Sequence, residues 1–275
     1  MEYTGTIGNS TLDKEISIIG LHLGDAHRVR PNTDWEKANK SAESILFVSY
    51  MLSVDYVTVN SAAGFLVQLL HSYAQRNTHT LSLLKHKVIW MIPILNLDAL
   101  EFLQDYYKDR NSITFIYKNR KEDNYTNEEK CGRNGLGVNL NKNFAVGFNY
   151  DSDITSEDYP CSTNYGGVGP LSESETNSLD KVIQSIKPSL QVSLFSANRM
   201  ITYPNLNMLD KSDKLIDTFK KYIDKLALYN EFQYGVSLYD PLKHEKSSLY
   251  SKGGNLDEYL LYQKSRLLIY QTSLR

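Results

Sequence analysis

Residues 131–176, CGRNGLGVNLNKNFAVGFNYDSDITSEDYPCSTNYGGVGPLSESET, decide how this chain folds. The stretch holds both cysteines of the protein, Cys131 and Cys161. It is rich in Asn, Gly, Ser and Asp, which favour turns over helix or strand. With residues 118–130 it makes a loop too long for an ordinary connection, and loops of that length are functional, disordered or stapled. A bond between the cysteines would close a loop of about 30 residues and add roughly 3–4 kcal/mol. Two unpaired buried thiols are the alternative. The stretch ends at Ser172 and Glu175, whose spacing predicts a capping box opening a helix over 172–186.

Outward from this loop, short apolar runs alternate with helical patterns. Strands are predicted at 15–21 (EISIIGL), 45–51 (ILFVSYM), 87–94 (KVIWMIPI), 113–117 (ITFIY), 189–195 (SLQVSLF), 199–203 (RMITY) and 266–271 (RLLIYQ). Several lack strict alternation, as strands covered on both faces do. Further helices are predicted at 59–75 and 208–230. Strands interleaved with helices give an α/β layer structure.

The chain has 275 residues, 41% of them hydrophobic, and a net charge of −2. No Lys/Arg run points to a nucleic acid or an anionic membrane. No stretch approaches the roughly 18 apolar residues of a membrane span. The first twenty residues lack the basic start and apolar block of a signal peptide. Twenty tyrosines against two tryptophans is a high load, explained by composition or by a Tyr-rich contact surface. Sequons stand at Asn9, Asn39 and Asn124 and add little in an Asn/Ser/Thr-rich chain.

Nine segments along the chain resemble the zinc carboxypeptidases of the A/B type. GVNLNKNF (137–144) is similar to the family's Gly-Val-Asp-Leu-Asn-Arg-Asn-Phe, preceded by a Cys as here. YPCSTNYGG (159–167) resembles its Cys-Ser-x-x-Tyr-x-Gly, and LSESET (171–176) its Ser-Glu-x-Glu helix start. IGNSTLDKEISII (7–19), IPILNLDAL (92–100), YKNR (117–120), SLQVSLFSANRMITYP (189–204), LYSKGGNLDEYL (249–260) and YQTSLR (270–275) resemble further family segments. The resemblance implies one domain over 1–275. It implies an α/β fold, phosphorylase/hydrolase-like, with a mixed, largely eight-stranded twisted sheet between helices. It also implies a Cys131–Cys161 disulfide, and with it an extracellular or secretory-lumen setting.

At the family's catalytic positions this sequence departs. The first two zinc ligands follow a buried strand as His-x-x-Glu; after ILFVSYM stand Leu52 and Asp55. The third ligand is a His nine residues before the Tyr-Pro proline; counting back from Pro204 gives Phe195. The general base, a Glu before the last Leu-Arg, is Ser273. A zinc peptidase needs three good protein ligands and one open position. Its metal brings bound water from a pKa of about 15.7 to about 7. Leu52 and Phe195 are hydrocarbon, and Ser273 cannot take a proton from water at neutral pH. The expectation is a pseudoenzyme with no metal or other cofactor, acting as a structural or protein-binding module.

The family's substrate residues persist in part. Asn-Arg becomes Asn141-Lys142, which keeps a cation but loses the bidentate fork suited to a carboxylate. An Arg becomes Tyr117, and the mobile-loop Tyr corresponds to Tyr250. A zinc-free binder of peptide C-termini is therefore an alternative. Another is a working enzyme with a relocated metal, for which His22, Asp25 and His27 offer two imidazoles and a carboxylate. Against it, a polar loop after the first strand explains the same residues. His71, His79, His86 and His244 read as solvated. Two departures favour docking to a partner or a larger assembly. The 22–44 insert, with Arg28, Arg30, Pro31 and Trp35, is longer than expected, and the sequence stops at Arg275 where the family continues into a helix.

Overall fold

The computed structural model describes residues 2–23, 43–49, 56–111, 116–146, 148 and 159–194, with Lys221 and Leu256. Five strands form one mixed sheet: β1 (Glu2–Asn9), β2 (Glu15–Leu21), β3 (Glu43–Ser49), β4 (Lys87–Ile92) and β5 (Leu190–Leu194). Their spatial order is β1-β2-β4-β3-β5. The β1–β2 hairpin and the β2–β4 pair are antiparallel. β3 is parallel to both β4 and β5, pairing Ile45 with Ile89 and Leu190.

Helices α1 (Tyr56–Ala74) and α2 (Thr78–His86) cover one face of the sheet, and α5 (Ser174–Ile186) covers the other. On the α5 face, Ile16, Ile18, Leu46, Val48, Trp90 and Ile92 meet Leu179, Val182 and Ile183. On the opposite face, Leu21 and Ile89 meet Leu69 and Leu84, with the Phe47 and Phe65 rings tilted at 36° and 4.8 Å between centroids. Two-sided cover explains why VIWMI in β4 is an unbroken apolar run.

α3 (Leu97–Arg110) and the single turn α4 (Glu128–Cys131) complete the described helices. Local chemistry sets the ends. Asn77 Oδ1 accepts from the N–H groups of His79 and Thr80 and starts α2. Asn96 Oδ1 accepts from Ala99 N–H and starts α3. Asn111, left-handed at φ 47°, ends α3 with its N–H on Tyr107 C=O.

The structure bears out the strand at 15–21 to the residue and those at 45–51, 87–94 and 189–195 within three. Pro93 has no N–H to extend β4. Five strands are described where about eight are expected; 199–203 and 266–271 lie outside the described residues. Of 113–117, only Ile116 and Tyr117 are described, and neither is in a strand. β1, α2 and α3 come as additions. The helix at 59–75 is α1, and that at 208–230 lies outside. The capping box does not form: Glu173 takes the N-cap place of α5 without a side-chain cap bond.

Gly20 of β2 sits opposite Trp90. A Cβ there would lie 2.5 Å from Trp90 Cζ3. Trp90 is fully buried and cannot retreat. Gly20→Ala is therefore expected to cost about 1–3 kcal/mol, read as a lowered urea midpoint; an unchanged midpoint contradicts this packing.

Candidate functional site

The irregular segment 116–176 is tied to the sheet by buried polar side chains. Cys131 and Cys161 are disulfide-bonded, with Cα atoms 4.9 Å apart. Lys118, only 2% exposed, reinforces the same closure. Its Nζ donates to Gly135 C=O at 2.7 Å and Pro160 C=O at 2.6 Å, carbonyls on the two arms of the loop. The ammonium also lies 5.5 Å from the Tyr165 ring centroid. Burial, aided by Arg120, lowers the Lys118 pKa to about 8. Arg120 donates from Nη2 to Arg133 C=O at 2.7 Å, with its guanidinium 4.0 Å from the Phe102 centroid. Burial and the Arg133 charge bring its pKa to about 10.

Asn119 holds the centre. Its Oδ1 accepts from Val138 N–H at 2.9 Å, an approach that Gly137 permits. Gly137 has φ 89°, and a Cβ there would sit 2.1 Å from Asn119 C=O. Asn119 Nδ2 donates to Glu173 Oε2 at 2.8 Å and Thr11 Oγ1 at 3.1 Å. Thr11 in turn donates its N–H and its hydroxyl to Glu175, at 3.0 and 3.1 Å. Lys121 Nζ completes Glu173 at 3.0 Å. The β1–β2 turn is anchored beside this by Asp98, which accepts from Ser10 Oγ at 2.6 Å and Leu12 N–H at 2.9 Å. Glu175 thus serves across the fold, from the first turn of α5 to the β1–β2 turn, rather than closing a capping box.

The Asn141-Lys142 pair sits on the 3-10 turn Leu140–Lys142. Asn139 fixes the turn from one side, accepting from Asn141 N–H at 3.0 Å and donating to Thr163 C=O at 2.9 Å. Asn143 fixes it from the other. Its Nδ2 donates to Gly166 C=O at 2.7 Å, and its Oδ1 accepts from Thr176 Oγ1 at 2.5 Å. Asn141 Oδ1 is buried and finds no hydrogen-bond partner among the described residues. Tyr117, 40% exposed, directly precedes the buried Lys118.

Of the substrate-binding remnant, Asn141, Lys142 and Tyr117 fall on this described segment. Tyr250 and the four catalytic positions Leu52, Asp55, Phe195 and Ser273 lie outside the described residues. So do Asp25 and His27. His22 is buried, its Nδ1 3.1 Å from Lys87 C=O. No cluster of three His, Cys, Asp or Glu able to hold a metal occurs among the described residues. His71, His79 and His86 are exposed, as expected, and His244 lies outside. Asn9 and Asn124 are exposed; Asn39 lies outside.

The profile of the family described as zinc carboxypeptidase matches residues 3–275. The chain belongs to the zinc carboxypeptidase family. Among curated members, it is 31% identical over 168 residues to the inactive metallocarboxypeptidase ecm14 of Schizosaccharomyces pombe, covering 61% of this chain and 29% of that protein. It is 27% identical over 209 residues to human mast cell carboxypeptidase A, covering 74% and 45%. It therefore spans less than half the length of these relatives. In fold it is similar to thrombin activatable fibrinolysis inhibitor (TM-score 0.73, 17% identity, 100% of this chain and 61% of that one). It is also similar to carboxypeptidase A of Helicoverpa armigera (TM-score 0.66, 17% identity, 98% and 59%).

Carboxypeptidase sequence motifs pointed to the cysteines, Asn141 and Lys142. They did not point to the roles of Lys118, Asn119, Glu173 and Glu175. The available signal was the acidic pair Glu173 and Glu175 at a helix start, of which Glu175 reads from spacing as part of a capping box.

Burial raises the Glu175 pKa, and the charges of Asp98 and Glu173 add to this; the Thr11 N–H opposes it. A raised carboxyl pKa stabilises the fold most below its unfolded value, and that contribution is lost as pH rises through the folded value. Against Glu175→Gln, wild type should therefore lose relative stability in urea titrations as pH rises above the ordinary carboxyl value of 4.5. A pH-independent gap contradicts the burial. For the disulfide, denatured but unreduced protein should show no titratable thiol. Reduction should lower stability by about 3.5 kcal/mol.

Proposed function

We propose that this chain is a carboxypeptidase fold without hydrolytic chemistry, serving as a structural or protein-binding module in an extracellular or luminal setting. The donor set carries the proposal. Of the positions matched to the family's metal ligands and base, Leu52 and Phe195 have no donor atom, Ser273 is not a base, and Asp55 alone has a carboxylate. Three ligands and an open position cannot be assembled from these. The residues do not fit zinc, and no catalytic step follows from them.

Two observations support the proposal. One curated relative is itself named inactive. The Lys118–Asn119–Glu173–Glu175 lattice holds the described part of the loop through side-chain hydrogen bonds, which suits a surface of fixed shape. The disulfide supports an oxidising compartment.

Metal analysis of the purified chain should find far less than one zinc per molecule. Peptides with free C-termini should survive prolonged incubation with it. Equimolar zinc together with release of C-terminal amino acids would establish instead an active enzyme with a rearranged site.

A second proposal, a zinc-free binder of peptide C-termini, is favoured by Asn141. Its Oδ1 is a buried acceptor lacking a partner among the described residues, on the same turn as the Lys142 cation. A peptide end could supply an N–H to the first and a carboxylate to the second. Calorimetry with such peptides should give heat that Lys142→Ala removes. No heat with wild type leaves the structural role alone.

A further inference from the structure

We propose that Asn124 carries an N-linked glycan, transferred before the turn around it closes. The proposal rests on the luminal reading above, because the transfer takes place in a secretory compartment. Three sequons stand in the sequence: Asn9-Ser10-Thr11, Asn39-Lys40-Ser41 and Asn124-Tyr125-Thr126. The motif alone does not choose among them. Asn39 lies outside the described residues, and the structure separates the other two.

An N-glycan is bulky and hydrated and needs a surface loop. Asn124 has that setting. It is exposed, in the irregular stretch between Lys121 and α4. Its C=O accepts from Lys130 Nζ, while its side-chain amide has no hydrogen-bond partner among the described residues. Glu122, Tyr125, Glu128 and Glu129 beside it in the chain are exposed too, so a sugar there displaces no packed neighbour of the stretch. Asn9 differs. It belongs to β1, paired with Glu15. Its Nδ2, the atom that would carry the sugar, donates to Asp13 Oδ1. That bond spans the β1–β2 turn, where Asp13 is left-handed at φ 65°, and a sugar on the same nitrogen would crowd it.

The order of events follows from Thr126. The transferase reads the hydroxyl of the third sequon residue together with the Asn amide. In the fold Thr126 is fully buried. Its Oγ1 donates to Lys121 C=O at 3.1 Å. Asp123 closes the turn over it: Oδ1 accepts from the N–H groups of Tyr125 and Thr126 at 2.7 and 2.8 Å. Asp123 N–H donates to Thr126 C=O at 2.9 Å. The closed turn hides the hydroxyl, so Asn124 is modified while the segment is still extended. In the transfer, Asn124 Nδ2 bonds to the anomeric carbon of an oligosaccharide carried on a lipid pyrophosphate. The bond from that carbon to the pyrophosphate oxygen breaks, the lipid pyrophosphate leaves with the electron pair, and one amide proton is released.

Peptide mapping of the chain isolated from its own cells tests this. Enzymatic release of N-glycans in heavy-oxygen water turns each glycosylated Asn into labelled Asp, and should label position 124 and not position 9. Asn124→Gln, at an exposed position, should remove the mass of one glycan and leave the far-ultraviolet circular dichroism unchanged. An intact disulfide with position 124 bare overturns the inference and leaves the luminal reading standing. Free thiols with position 124 bare overturn both. In vitro, oligosaccharide transferase with its lipid-linked donor should modify the reduced, denatured chain and leave the folded chain bare. Transfer onto the folded chain overturns the order of events.

Discussion

Backbone N–H and C=O groups cannot enter a core unpaired. That constraint governs this protein, because much of the described part of segment 116–176 has neither helix nor strand and yet is buried. Asn119, Asn139 and Asn143 resolve it. Each uses both ends of its amide, the oxygen accepting from a backbone N–H and the nitrogen donating to an oxygen. Lys118 does the same for two carbonyls. Side chains here take the place of ladder partners. Removing one would strand a buried donor or acceptor, at about 1–3 kcal/mol.

The same lattice explains what could be seen in the sequence. β2 and β4 were legible because burial on both faces leaves nothing but apolar residues, and the hydrophobic run is the strand. α5 was legible from its apolar period, though its start was not. Ser172 and Glu175 have capping-box spacing, but Asn143 donates to Ser172 Oγ, and Glu175 is drawn away by Thr11. Tertiary partners outcompeted the local motif. β1 was missed because GTIGN interrupts its alternation, and Gly8 marks a register shift against β2. α3 was missed because LNLDAL reads as a loop motif; only in the structure do Asn96 as N-cap and Asp98 in the first turn become helix signals.

At the site the division is similar. The cysteine pair and the Asn141-Lys142 turn could be found by order and spacing alone. The buried charges could not. Nothing in YKNR says that Lys118 and Arg120 point inward while Tyr117 stays out. Both are buried together with Asn119 between them, and the cost of burial shows in the lowered pKa values of both cations.

These costs bear on function. A buried lysine and two buried glutamates are expensive groups, and an apolar replacement of similar volume is often no less stable. Their use here is geometric: they hold a long loop in one shape. That shape presents the Asn141–Lys142 turn and the Tyr117 ring whether or not water is ever activated nearby. A hydrolase needs the loop and the donors of positions 52, 55, 195 and 273 together. A binding module needs only the loop. Of the residues matched to those four positions, only Asp55 carries a carboxylate.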